Sequence, residues 1–164
     1  MKWKAYASLV AYILTIIGAN WMTVTFGLVP IGFGLAVTAG TFAAGAALLL
    51  RDAVQVTMGK VISLAAIVVG IGISYVVADP MIAVASALAF AASELVDFAV
   101  FTPMRARSLA RAVVISSVVS APVDTVLFLH IAGFGVTWQA VLGQFIVKTG
   151  MALLAAAWLV KRSR

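Results

Sequence analysis

Two carboxylates, Glu94 and Asp97, stand inside the apolar stretch Ser86 to Phe101, which reads SALAFAASELVDFAVF. Buried carboxylates accept hydrogen bonds from amine and ring N–H groups, pair with cations or carry protons. As a helix this stretch is expected to be long enough to reach through a bilayer. An acidic group at such a helix centre costs on the order of 3 kcal/mol on insertion scales, so two on one face mark a functional region. At about 100° per residue, Ser86, Phe90, Ser93, Glu94, Asp97 and Phe101 share an arc of roughly 100°, leaving alanine, leucine and valine on the remainder.

The other polar groups in apolar surroundings extend this set. Asp124 follows Pro122 and shares a face with Ser116, Ser117 and Ser120, while Gln144 and Lys148 stand one turn apart. Lys148 has no acid in its own apolar run, so its ammonium requires a carboxylate from another element. Asp124 and Glu94 are the two at comparable depth, and Asp124 matches better. Asp97 falls nearer Arg51, Asp52 and Gln55, a group that reads as a gate or a salt-bridge cluster. Plainer readings compete: an ion pair can simply pin helices together, the serines can serve close helix packing, and Arg51 and Asp52 can be topology residues.

Composition defines what must position these groups. With 65% apolar and 10% charged residues and mean hydropathy +1.20, the chain is expected to be an integral membrane protein, since a soluble domain carries about a quarter charged residues. The net charge of +6 then belongs to membrane topology, and no nucleic-acid partner is expected. No cysteine and a lone His130 argue against a metal site, and no cofactor is expected. No nucleophile–base pair or phosphate-binding loop suggests an enzyme. Lys2 and Lys4 lead an apolar run without a clear cleavage site, which is expected to remain as a first span.

Six apolar runs lie near 5–22, 29–50, 57–77, 81–101, 110–132 and 138–160, each about the length that spans a ~30 Å hydrocarbon core at 1.5 Å per residue. The expectation is an all-α fold in which residues 1–164 form one six-helix transmembrane domain, a compact bundle. Basic residues cluster at the termini, around 51–60 and around 105–111, so the positive-inside rule places both termini in the cytoplasm. The connection Trp21 to Gly34, with Gly27, Pro30, Gly32 and Gly34, need not be helical; it reads either as a lid over a pocket or as a tight hairpin.

The strings LRDAVQVTMGK at 50–60, ASALAFAASELVDFAVFTPMR at 85–105, SSVVSAPVDTVLFL at 116–129 and GQFIVK at 143–148, with Ala19-Asn20, resemble the VUT family of queuosine precursor transporters. The resemblance implies a six-span inner-membrane protein with a helical arrangement similar to the substrate-binding subunits of energy-coupling-factor vitamin transporters. It implies import of 7-cyano-7-deazaguanine or its 7-aminomethyl relative; the alternative is a binding subunit of an ATP-driven vitamin-type system. A homodimer or an energising module is left open as a further partner beside the substrate and the lipid bilayer. By position, Asn20, Arg51, Asp52, Gln55, Glu94, Asp97, Asp124, Gln144 and Lys148 form the family's polar signature. The chain departs from the family pattern at Met22, Thr23 and Thr25, where a basic residue is expected soon after the asparagine. A deazaguanine presents two parallel N–H donors that one carboxylate can accept, the role expected of Glu94. Gln144, Asn20 or Lys148 would donate to its carbonyl, Phe90 and Phe128 would cover its ring, and Asp124 would orient Lys148 or take a proton.

Overall fold

The structure is a computed structural model that describes residues 2–162, with side chains described at all of these except positions 2, 4, 49, 52, 56, 155, 158–160 and 162. Six helices form: α1 Lys2–Phe26, α2 Thr41–Met58, α3 Lys60–Val77, α4 Pro80–Met104, α5 Leu109–Ile131 and α6 Trp138–Arg162. Among the described residues, four segments are long and apolar enough to cross a membrane: Ala5–Phe26, Lys60–Val77, Pro80–Met104 and Leu109–Ile131. The protein is therefore a multi-pass, predominantly helical membrane protein. The other two helices, α2 and α6, carry the buried cations Arg51 and Lys148.

One segment departs from the expected all-helical course. The second apolar run is not a helix over 29–50. Residues Leu28–Gly32 (β1) and Leu35–Thr38 (β2) form an antiparallel ribbon with Val29 opposite Val37 and Pro30 opposite Ala36. Helix α2 begins only at Thr41 and continues past the expected end. The cause lies in the turn: Gly32, Phe33 and Gly34 all have positive φ, at 92°, 54° and 73°, which a right-handed helix excludes. Pro30 has no N–H to give to a helix, whereas an edge position tolerates it. The segment that reads as a lid or a tight hairpin has the backbone of an antiparallel hairpin. At the other end of α2, Gly59 at φ 92° separates α2 from α3.

Short connections make successive helices antiparallel. The hairpin, Asp79 and His130 therefore lie at one end of the bundle, and Lys60, Arg105, Arg107, Arg111 and Lys161 at the other, here called the basic end. Helix starts are capped locally. Asp79 Oδ1 accepts from Met81 N at 2.9 Å and Ile82 N at 3.1 Å, with Pro80 in the first turn, and Ser108 caps α5.

Large apolar side chains face outward and small or polar ones face inward, the arrangement expected where the surroundings are hydrocarbon. Val61, Val68, Val76, Leu95 and Leu154 are exposed, while Ala83, Ala85, Ala89, Ala112 and Ala140 are buried. A tighter apolar cluster of Tyr12, Ala47, Val54, Ala66 and Ile67 joins α1, α2 and α3. Two glycines permit close approaches that set the hairpin. A Cβ on Gly40 would strike the Ala19 carbonyl oxygen, and one on Gly143 would strike the Ala36 carbonyl oxygen and lie 3.1 Å from Val37 Cγ1. Gly143→Ala is expected to destabilise the protein by about 1–3 kcal/mol, the usual cost of overpacking. Gly150→Ala on the same helix, where nothing lies within 4 Å, should instead be neutral or add up to about 1 kcal/mol through helix propensity. Thermal unfolding of the two variants in detergent checks the contrast; equal effects would mean that the hairpin is not seated on α6.

Candidate functional site

The side chains of α4, α5 and α6 that sequence periodicity marks as polar converge on the interior, together with Asn20 from α1 and the residues that follow β2. A cavity with about 90 Å³ of room for the centres of water molecules lies among them, space for roughly six or more waters. Asn20, Phe90, Asp124, Phe128, Gln144 and Lys148 all line it. Thr38, Thr41 and Ser86, which sequence reasoning did not assign to the site, line it as well.

Lys148 organises one wall. Its Nζ donates to Asp124 Oδ2 at 2.6 Å, to Thr125 Oγ1 at 2.9 Å and to Gln144 Oε1 at 3.3 Å. The ammonium thus has three acceptors, although Lys148 is only 3% exposed. Gln144, wholly enclosed, passes the network on, donating from Nε2 to Thr38 Oγ1 at 3.4 Å, and Thr38 Oγ1 lies 2.9 Å from Thr41 Oγ1. The hairpin is thereby tied to the charged centre through Thr38. Asp124 keeps 24% of its side chain exposed, so it presents carboxylate surface to the cavity. Lys148 and Asp124 cancel, leaving the cavity formally neutral.

Across the cavity, Asn20 is 3% exposed. Its Oδ1 accepts from Ser86 Oγ at 2.5 Å, while its Nδ2 is buried without a hydrogen-bond partner. An unmet buried donor costs on the order of 1–3 kcal/mol, so its presence beside an open space points to a ligand acceptor. Phe90 and Phe128 add aromatic surface from α4 and α5, and Phe128 is held by a stacked contact with Phe134 at 6.3 Å between ring centroids.

Glu94 does not join this group. The structure places Glu94 in a cavity with Lys148 but not with Asp124: Phe90 faces the hairpin-side cavity that Asp124 lines, and Glu94, one turn further along α4, faces a second and smaller one that Lys148 also borders. There Arg51 Nη1 donates to Glu94 Oε2, and Arg51 Nη2 donates to Asp97 Oδ2 at 3.3 Å. One guanidinium fork bridges two carboxylates placed three residues apart on α4. Gln55, expected beside them, lines neither cavity; its backbone carbonyl accepts from Gly59 N. The Asp52 side chain lies outside the described residues. Thr125 was legible only as the neighbour of Asp124, and Thr38 and Thr41 were hidden by reading their segment as mid-helix.

A helical membrane protein enclosing a largely apolar, formally neutral and partly aromatic cavity with a few convergent polar groups fits the class that binds and moves small solutes. Residues 75–161 match the family described as "Putative vitamin uptake transporter". The match covers just over half of the chain, and the protein belongs to this vitamin uptake transporter (VUT) family. No curated protein and no solved structure matches the chain. The matched segment contains Phe90, Glu94, Asp97, Asp124, Phe128, Gln144 and Lys148, whereas Asn20 and Arg51 precede it.

Proposed function

We propose that the protein imports an uncharged deazapurine, 7-cyano-7-deazaguanine, through the hairpin-side cavity. The observation that carries this reading is the pairing, across one cavity, of an accessible carboxylate, Asp124, with an unpartnered buried amide donor, Asn20 Nδ2. A deazaguanine has the complementary pattern. Its ring N–H and exocyclic amine suit a carboxylate, and its carbonyl oxygen suits an amide N–H. Asp124 takes the recognition role that sequence alone gave to Glu94, while Phe90 and Phe128 cover the ring. The formal neutrality of the cavity favours the cyano compound over its aminomethyl relative, which is cationic. All six helices cross the bacterial inner membrane in this reading. The basic end faces the cytoplasm, as the positive-inside rule requires, and Asn20, Thr38 and Thr41 face the outer side.

The test is thermal stabilisation of the detergent-purified protein by a panel of deazapurines, purines and vitamins. A ligand at 100 times its dissociation constant adds about 2.7 kcal/mol. Stabilisation by a vitamin and by no deazapurine would replace this substrate with that vitamin. A variant sharpens the result. Asn20→Ala removes the orphaned donor but also the Oδ1 that accepts from Ser86 Oγ, two opposed effects on the empty protein, while deazaguanine binding is expected to weaken by about 1–3 kcal/mol. Unchanged binding by Asn20→Ala, measured by titration calorimetry, would remove Asn20 from recognition.

A further inference from the structure

The second cavity is not an isolated pocket. It offers about 20 Å³ to water centres, lined by Arg51, Glu94, Asp97 and the hydroxyl-bearing faces at Ser93, Ser117 and Ser120. Each of the four helices that line it also lines the first cavity, at successive turns along the same face. On α2, Thr41, Ala44 and Ala47 face the first cavity, and Gly45 and, beyond Leu48, Arg51 face the second. On α4 the change falls between Phe90 and Ser93. On α5, Asp124 and Phe128 face the first cavity and Ser117 and Ser120 the second. On α6, Gln144 faces the first and Ala152 the second. The two spaces are therefore stacked along the bundle axis. Two side chains, Leu48 and Lys148, border both, so these two form the partition.

We infer that the second cavity is the far half of a single axial path for the same uncharged, hydrogen-bonding heterocycle, and that Leu48 and Lys148 are the gate between the halves. This rests on the transporter reading above and deepens it. The stretch from Ser86 to Phe101 on α4 that borders the two cavities is about 22 Å long at 1.5 Å per residue, most of a ~30 Å hydrocarbon core. Bare backbone and polar side chains at that depth persist only where they line a cavity or meet protein partners. Serine hydroxyls and carboxylates continue, in the second cavity, the mixed donor and acceptor lining of the first. Lys148 is held on the first-cavity side by Asp124, Thr125 and Gln144, while Glu94 and Asp97 line the second cavity that it also borders. A ligand that engages Asp124 competes with Lys148 for that carboxylate. The ammonium then has Glu94 and Asp97 within its second wall as alternative partners, so ligand binding and opening of the partition share one charge. Leu48, opposite, supplies the apolar plug.

The chain contains no cysteine, so single substitutions place unique thiols in each half. Thr41→Cys and Ser117→Cys are made in otherwise unchanged protein, reconstituted in vesicles of known orientation and exposed to a membrane-impermeant trimethylammonium methanethiosulfonate from either side. Labelling of Thr41→Cys from the hairpin side, and of Ser117→Cys from the basic side, is expected. Combining Ser117→Cys with Leu48→Ala should open it to the hairpin side and raise that labelling rate roughly tenfold or more, equivalent to about 1.4 kcal/mol in the opening equilibrium. If Leu48→Ala does not give monodisperse protein, Leu48→Val provides the smaller opening. Protection of Ser117→Cys from both sides, with the partition residue intact and with it cut back, overturns the path. Binding and uptake of 7-cyano-7-deazaguanine by the parent protein separate this result from the substrate assignment. A protein that imports it with Ser117→Cys always protected keeps the transporter reading and loses the path, as a subunit that reorients bodily would. A protein that labels as expected and ignores the deazapurine keeps the path and loses the substrate.

Discussion

Lys148→Met is expected to destabilise the protein by about 3 kcal/mol, the lower part of the range of about 3–5 kcal/mol for breaking a buried ion pair. The methionine keeps the stem and the packing but strands Asp124. That carboxylate retains 24% exposure to the cavity, so it recovers some solvation, which places the loss at the low end. Asp124→Asn leaves an ammonium that is 3% exposed with only neutral acceptors in Thr125 and Gln144, and should cost at least as much. With both changes no charge is stranded, so the double variant should lose less than the two singles together. The measurement is a thermal-unfolding cycle in detergent run beside uptake. Strict additivity would mean that the two groups, 2.6 Å apart, are not energetically coupled. A double variant that is stable and inactive would assign the pair to transport rather than to the fold.

That ion pair also shows how far the chain's sequence carries. Helix existence and approximate depth follow from hydropathy and the 1.5 Å rise, and depth alone favours Asp124 over Glu94 as the partner of Lys148. Azimuth is harder. Ser86, Phe90, Glu94 and Asp97 share one face of α4, and a single face reads as a single site. The structure divides it, because Leu48 and Lys148 partition the interior between Phe90 and Glu94. Nothing in one helix's periodicity reveals where a neighbouring side chain cuts across its polar stripe. The hairpin was less legible still. Val29, Ile31 and Val37 are β-branched, yet in an apolar run they are as compatible with a buried helix as with a strand. What decides the matter is the Gly32–Phe33–Gly34 turn and the clearance that Gly143 leaves for the Ala36 carbonyl. The first is a local signal and the second a tertiary one. Thr38 and Thr41 enter the site only because that turn brings the chain back over the cavity.

Arg51→Met should have the larger effect. Arg51 reaches from α2 to α4, and its fork contacts both Glu94 and Asp97 across the second cavity. Arg51 and Asp97 are 7% and 8% exposed, so removal of the cation leaves two carboxylates one helical turn apart in a poorly solvated space. Stranding one buried partner costs about 3–5 kcal/mol, and the repulsion between two stranded groups adds to it, so Arg51→Met is expected to lose at least about 4 kcal/mol. Arg51→Lys should fall between the parent and Arg51→Met, because a point ammonium meets one carboxylate well and cannot hold two with a planar fork. Arg51→Met combined with Glu94→Gln and Asp97→Asn removes the guanidinium and both carboxylates that it bridges and should recover most of the loss, since neutral amides can hydrogen-bond to one another across the same space. The readouts are the unfolding temperature and the monodisperse fraction in detergent. An Arg51→Met protein within about 0.5 kcal/mol of the parent, the range of an ordinary surface substitution, would show that α2 and α4 are not joined through this guanidinium. Failure of the triple substitution to recover stability would instead mean that Arg51 acts by filling the second cavity rather than by balancing its charge.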